Sequence, residues 1–415
     1  MTRVIHTGDT HIGYRQYHST RRRQDFIDAF ECVVTDAIAD DVDAVVHAGD
    51  LFHDSRPELS DIVETVSILR KLASHSIPFL GVVGNHESTR NRQWLDLFED
   101  IGLAIRLDAS GTVVGDVTFY GLDYVPVSRR DQLSYQFATP STESTALVSH
   151  GLFEPFAHAD WETEAVLAES TVDFDVLLLG DNHVPDRAQV SDTWVTYCGS
   201  TERASATERE QRGYNVVTFD GEVRIARRQI AETRDFVFID LDLQSGQGTQ
   251  FVIDEVTSFD LTDAVTIVTI SGDGDDVIPA RVEEAAKANG ALIVRLTDSR
   301  EHEDEAVPRA RFSDPDAAVD DRISELPLTG AGLLIDDIVR DDSIPESSVR
   351  RRTRSRIETL LEELPSEFDR HRSEQRISPS TEATTKASDS TDDSDIPDTP
   401  SQQQSESGQT SIGEF

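Results

Sequence analysis

Five short apolar runs in this chain each stop at residues able to hold a metal ion, usually beside a glycine. Arg3-Val4-Ile5-His6 leads into Gly8-Asp9-Thr10-His11, and Ala44-Val45-Val46 into Gly49-Asp50-Leu51-Phe52-His53. Phe79–Val83 leads into Gly84-Asn85-His86-Glu87, Ala146-Leu147-Val148 into Ser149-His150-Gly151, and Val176–Leu179 into Gly180-Asp181-Asn182-His183. A continuous apolar run of this length bounded by turn residues predicts a buried strand. In α/β folds, chemistry gathers just beyond the carboxyl ends of such strands. Oxygen and imidazole donors without thiolate suit Mn²⁺, Fe or Zn²⁺. There are too many donors for one ion and enough for two, and paired divalent ions suit hydrolysis of phosphate esters. Any one of these histidines alone is more simply a core or surface residue; the recurrence is what argues for a shared site.

The intervals between the first runs are helical. Phe26, Ile27, Phe30, Val33, Val34, Ala37 and Ile38 recur at spacings of three and four, as do Ile62, Val66, Leu69 and Leu72. Strand–helix alternation predicts a parallel sheet with right-handed crossovers. Arg21-Arg22-Arg23 at the first helix start is expected to be solvated, with phosphate contact as the alternative. The next stretch is richer in strands: Val117–Tyr120, Phe174–Leu179, Trp194–Cys198, Tyr214–Phe219 and Glu222–Arg227, the last two joined at an Asp220-Gly221 turn. The predicted fold is a two-sheet α/β sandwich over residues 1–232, with ligands on loops along one edge. A small α+β cap over 233–325 follows, with strands Phe236–Leu243, Ala264–Ser271 and Ala291–Leu296 and one helix, Ala280–Ala288. A helical segment over 331–375 carries Ile357, Leu360, Leu361 and Leu364 on one apolar face, as a partner-binding helix would. Residues 376–415 are Ser-, Thr-, Asp- and Gln-rich and predict a disordered acidic tail.

The formal net charge is −41, and the only lysines are Lys71, Lys287 and Lys386. That balance fits a halophile, in which acidic charge serves solubility. At molar salt the screening length is about 3 Å, so an acidic chain can still approach nucleic acid. Cys32 and Cys198 are the only cysteines, which gives no disulfide framework and suits a reducing cytoplasm. The first strand starts almost at once, so no signal peptide is expected, and no apolar stretch is long enough to span a bilayer.

With these motifs in order, the chain resembles the calcineurin-like metallophosphoesterases, whose pattern is D-x-H, G-D, G-N-H, a lone H and G-H-x-H. Gly8–Gly13, Gly49–His53 and Tyr197-Cys198-Gly199-Ser200-Thr201-Glu202-Arg203 resemble the SbcD nucleases. They resemble still more the meiotic recombination eleven family of double-strand-break repair nucleases, of haloarchaeal type. The resemblance implies a 3′→5′ exonuclease and single-strand endonuclease with two Mn²⁺ per subunit. It implies DNA as substrate, a homodimer, and a coiled-coil ABC-type ATPase of the Rad-fifty kind as partner. Carried over by position, Asp9, His11, Asp50 and His183 hold one ion; Asp50 bridges to a second completed by Asn85, His150 and Asp181. The last motif departs from the family, with Asp181 where histidine is usual.

His86, adjacent to Asn85, is assigned to phosphate positioning and leaving-group protonation. His53 is a second contact for the phosphate, or alternatively a hydrogen-bond support for a ligand. His6 and His47, inside strands, are expected to be structural. Two other readings stand beside the nuclease: a phosphomonoesterase or phosphodiesterase of the same fold, and a non-catalytic scaffold at DNA ends. The final residues, Gln409, Ile412 and Phe415, have the spacing of a one-turn 3₁₀ plug for the replication sliding clamp.

Overall fold

The computed structural model describes residues 1–89, 92–130, 132–231 and 233–300, and scattered positions between 329 and 359. The first sheet holds six strands: β1 (Thr2–Thr7), β2 (Ala44–His47), β3 (Phe79–Gly81), β4 (Ile105–Arg106), β11 (Gly213–Phe219) and β12 (Val223–Gln229), numbered in chain order. Their spatial order is β12-β11-β1-β2-β3-β4, parallel from β1 to β4 with an antiparallel hairpin on the far side of β1. The second sheet contains β5 (Thr112–Val114), β6 (Val117–Leu122), β7 (Ser144–His150), β8 (Val176–Gly180), β9 (Asp186–Val190) and β10 (Thr193–Tyr197), in the order β5-β6-β7-β8-β10-β9. Its centre, β6-β7-β8-β10, is parallel.

The apolar runs are continuous because both faces of these strands are covered. Val4, Val46 and Leu80 from the first sheet meet Phe119, Val148 and Leu178 from the second in one core. The alternate residues Ile5, Val45 and Phe79 face outward against helices α1 (Thr20–Ala39), α2 (Leu59–Ser74) and α3 (Trp94–Asp100). Leu147, Leu177 and Leu179 cover the outer face of the second sheet with Phe153, Trp161 and Val166. Short helices α4 (Val127–Arg130) and α5 (Thr163–Glu169) lie in its connections. The result is the expected two-sheet sandwich between helices.

Two expectations need correction. Beyond residue 235 the chain forms not three strands with one helix but β13 (Phe236–Leu243), α6 (Thr249–Thr257), β14 (Val265–Gly272), α7 (Pro279–Ala288) and β15 (Ile293–Asp298), with all three strands parallel. The extra helix, α6, is rich in β-branched residues, which disguise its helical spacing; Val252 and Val256, four apart, are its buried face. Nor is the arginine triplet solvated as a whole. Arg22 is fully buried, Arg23 pairs with Asp61, and Arg21 pairs with Asp263 of the cap. All the described residues belong to one compact unit, Met1–Arg370, and none of their helices is long and apolar enough to cross a membrane. Ile357 is half-buried in helical residues 352–357. Leu360, Leu361, Leu364, the 376–415 segment and the Gln409, Ile412 and Phe415 spacing lie outside the described residues.

Candidate metal centre

All five motif-bearing strand ends open on one edge of the sandwich. β1, β2 and β3 are parallel neighbours in one sheet, and β7 and β8 in the other. The loops beyond β1 and β2 are stitched together by Asp9 N–H to Gly49 O (3.0 Å), His11 N–H to Asp50 O (3.0 Å) and Ile12 N–H to Leu51 O (2.9 Å). Asp181 N–H donates to both Asp9 oxygens, at 3.0 and 3.2 Å, tying the second sheet to the first. The glycines are there for space: a Cβ on Gly84 would overlap the Asp50 carboxylate, and one on Gly49 the His150 ring. Asp9, His11, Asp50 and Asp181 all have positive φ (49°, 43°, 57° and 89°), which turns each side chain from its strand toward the shared centre.

The side chains converge. His11 Nε2 and His183 Nε2 are 3.0 Å apart. Asp50 Oδ2 lies 3.5 Å from His150 Nε2 and 3.9 Å from His11 Nε2. His150 Nε2 is also 3.0 Å from Asn85 Oδ1 and 3.9 Å from Asp181 Oδ1. Two buried trios have donor atoms close enough to share an ion, Asp9/His11/His183 and Asp9/Asp50/His150, with Asp9 common to both.

The donor chemistry fits cations. Asn85 Oδ1 lies 3.0 Å from His150 Nε2, and the amide NH₂ would reach Asp50 Oδ2, 3.0 Å away, only by turning over. The buried Asp181 Oδ1 has no hydrogen-bond partner. Burial raises the Asp9 carboxyl to about 6, with the nearby Asp50 and Asp181 adding to the shift and His150 and His183 opposing it. Burial works against a charged His150, yet Asp50, Asp181 and Asp9 hold its pKa well above the ordinary range. His183 is likewise opposed by burial but raised to about 9 by Glu208, Asp9 and Asp50. Carboxylates that draw protons onto imidazoles in this way supply the charge that divalent cations neutralise instead.

His53 and His86 are only half-buried, while six of the seven ligand candidates, all but Asn85, are buried. His86 Nδ1 is 2.8 Å from His53 O, and the His53 ring is stacked on Tyr14 at 3.9 Å. Both rings stand edge-on to His11, at 4.9 and 5.4 Å, so a third possible ligand trio, His11/His53/His86, adjoins the buried pair. His6 and His47 are buried in their strands, and burial lowers both to about 3. His47 Nε2 meets Thr10 Oγ1 at 3.1 Å.

Sequence reasoning missed the residues that hold this edge in place. Glu87 accepts N–H bonds from Phe52 and Gly84, both at 3.2 Å. Burial, reinforced by Asp50, raises its carboxyl to about 7. Glu208 Oε1 meets His183 Nδ1 at 2.8 Å. Glu87 could have been suspected from its place beside His86. Glu208 follows the Tyr197–Arg203 motif without any ligand-like spacing.

A sandwich with these strand-end donors is that of the calcineurin-like phosphoesterases. The profile of that family matches residues 2–216, and the chain belongs to it. Over 370 residues the chain is 57% identical to the DNA double-strand break repair protein Mre11 of Haloferax volcanii, covering 89% of this chain and 84% of that protein. The Mre11 of Halobacterium salinarum is 54% identical over 370 residues, 88% of this chain and 95% of its own length. That of Methanosarcina acetivorans is 42% identical over 394 residues, 91% and 64%. The chain is therefore a member of the Mre11 family and a metal-dependent phosphoester hydrolase, built around a dinuclear divalent centre.

Proposed function

We propose that this chain is a Mn²⁺-dependent DNA nuclease that processes broken ends, acting as a 3′→5′ exonuclease and single-strand endonuclease. The observation that carries the reading is the convergence of donors from five strand ends onto Asp9 and Asp50. Asp9, His11, Asp50 and His183 would hold one Mn²⁺, and Asp50, Asn85, His150 and Asp181 the other. When bound, the two ions activate water and neutralise charge on the phosphate. The chain's own residues do the rest. His86 N–H fixes Asp50 Oδ1 at 3.0 Å. With Nδ1–H of His86 donating to His53 O, the ring in its doubly protonated form also carries an Nε2–H, which would meet the phosphate and protonate the leaving 3′ oxygen, leaving the neutral Nδ1–H tautomer behind. His53, braced by Tyr14, contacts the same phosphate from the open side.

A metal-titrated assay in molar salt tests the reading, comparing single-stranded DNA with p-nitrophenyl phosphate. Turnover of the small ester alone would make the chain a phosphomonoesterase; metal binding without turnover would make it a scaffold. Asp181 gives a finer test. A carboxylate is harder than imidazole, so the second ion should be Mn²⁺ or Mg²⁺ rather than a softer metal. Asp181→His is expected to keep activity and to tighten Zn²⁺ or Ni²⁺ binding, read by calorimetry. Unchanged two-ion occupancy in Asp181→Ala would remove Asp181 from the ligand set.

The same reading includes a homodimer and a coiled-coil ABC-type ATPase, at work on DNA in a salt-rich cytoplasm. α2 exposes Leu59 and Val63, and α3 with the residue that caps it exposes Leu97 and Ile101, apolar surface suited to a second copy. Truncation before Leu333 is expected to leave a folded nuclease that no longer co-purifies with the ATPase; retained co-purification would move that interface elsewhere. A peptide spanning Gln403–Phe415 is expected to bind the sliding clamp of the same organism. Equal calorimetric heat from its Ile412→Ala, Phe415→Ala form would end that idea.

A further inference from the structure

The loop from Gly199 to Arg212 buries more charge than a connection needs. Glu202, Arg203, Glu208 and Arg212 are 0%, 7%, 8% and 1% exposed. Taking ions out of water costs several kcal/mol each unless they are paired, and apolar side chains could fill the same space without that cost. Here the pairing runs in one direction, toward His183. Glu208 Oε1 meets His183 Nδ1 at 2.8 Å, while its Oε2 accepts from Ala204 N–H (3.0 Å), Arg212 (3.2 Å) and Ser200 Oγ (3.5 Å). Arg212 also donates to His183 O at 2.9 Å, so both the ring and the backbone of that histidine are held.

The lattice continues away from the site into the cap. Arg203 Nε donates to Glu208 O at 3.0 Å, and its guanidinium lies 5.2 Å from the Phe236 ring centre. Arg22 donates to Arg203 O at 2.9 Å, pairs with Asp25 (2.6 Å) and Glu202 (3.3 Å), and stacks on Phe236 from 4.9 Å. Arg234, two residues before β13, grips Asp25 with two N–H groups at 2.5 and 2.7 Å. Its own backbone N–H reaches Glu202 at 3.4 Å. Phe236 and Arg234 are thus the cap's share of a buried chain of contacts that ends on His183.

We propose that Glu208 is a positioning residue for His183, and that the seating of β13 sets its position through Arg203 and Arg22. The proposal rests on the reading of His183 as a metal ligand. Carboxylates on the far nitrogen of a ligating histidine fix the ring and raise its donor strength, and removing one typically costs roughly 10–100-fold in metal affinity.

Calorimetric Mn²⁺ titration of the full-length protein in molar salt tests this, with circular dichroism and thermal unfolding as checks of folding. The wild type is expected to bind two ions. Glu208→Ala should weaken one of them by roughly 10–100-fold and leave the other; Glu208→Gln, which keeps an acceptor for Nδ1–H, should lose less. Phe236→Ala, a milder change that keeps the charge pairs, should weaken the same ion by a smaller factor. Arg21→Ala, which removes only the exposed 3.2 Å pair with Asp263, should leave both ions unchanged. Wild-type affinities in a folded Glu208→Ala protein would overturn the positioning role. Wild-type affinities in Phe236→Ala, or equal weakening in Arg21→Ala, would overturn the cap's part in it. A wild type that binds no Mn²⁺ would instead overturn the metal reading beneath both.

Discussion

Asp50→Ala is expected to reduce Mn²⁺-dependent DNA cleavage by roughly a thousandfold or more while leaving a folded protein. Asp50 stands between histidines of the two sheets. Its Oδ2 lies 3.5 Å from His150 and 3.9 Å from His11, and its Oδ1 accepts the His86 N–H at 3.0 Å. Burial opposes its charge, but His150, His86 and His11 hold the carboxyl below the usual carboxylate range. It is therefore held in the charged form, the form that can ligate a cation. On the proposed bridging role, removing it takes a shared ligand from each ion, so occupancy and rate should fall together. Near-native cleavage by a correctly folded Asp50→Ala protein would refute the bridging role.

His86→Ala should fail differently. The bond that steadies Asp50 comes from the backbone N–H of residue 86 and survives the change. What disappears is a half-buried ring on the open side of the site, tied by Nδ1 to His53 O. Both Mn²⁺ ions should remain, measured by calorimetry, while turnover falls by roughly 10²–10⁴-fold, the range of a lost general acid. If an ion is lost instead, His86 belongs with His11 and His53 as a ligand trio. The contrast between the two variants separates holding the metal from using it.

The strand ends were legible because burial on both faces makes a strand continuously apolar, and its break is then visible beside glycine. Val4–Ile5, Val45–Val46 and Leu177–Leu179 are such runs, and each sits inside a sheet with a strand on either side. β9 was invisible for the opposite reason: Asp186–Val190 is a polar edge strand whose side chains are exposed or half-exposed. Glu208 and Arg22 were missed because their meaning lies in partners 25 and 181 residues away. Local spacing carries no trace of such pairs, and an arginine triplet at a helix start looks the same whether its middle member is solvated or enclosed.

The left-handed backbone at Asp9, His11, Asp50 and Asp181 bears on how such a protein could decay. Each of these residues holds a conformation that costs an L-residue about 1 kcal/mol or more relative to glycine. Four of them tax a fold whose whole margin is typically about 5–15 kcal/mol. A lineage that gave up hydrolysis and kept only a surface for DNA ends would gain stability by drifting to glycine or asparagine at these positions. This chain has aspartate or histidine at all four. Strain at four residues suited to metal chemistry weighs against a scaffold without hydrolysis.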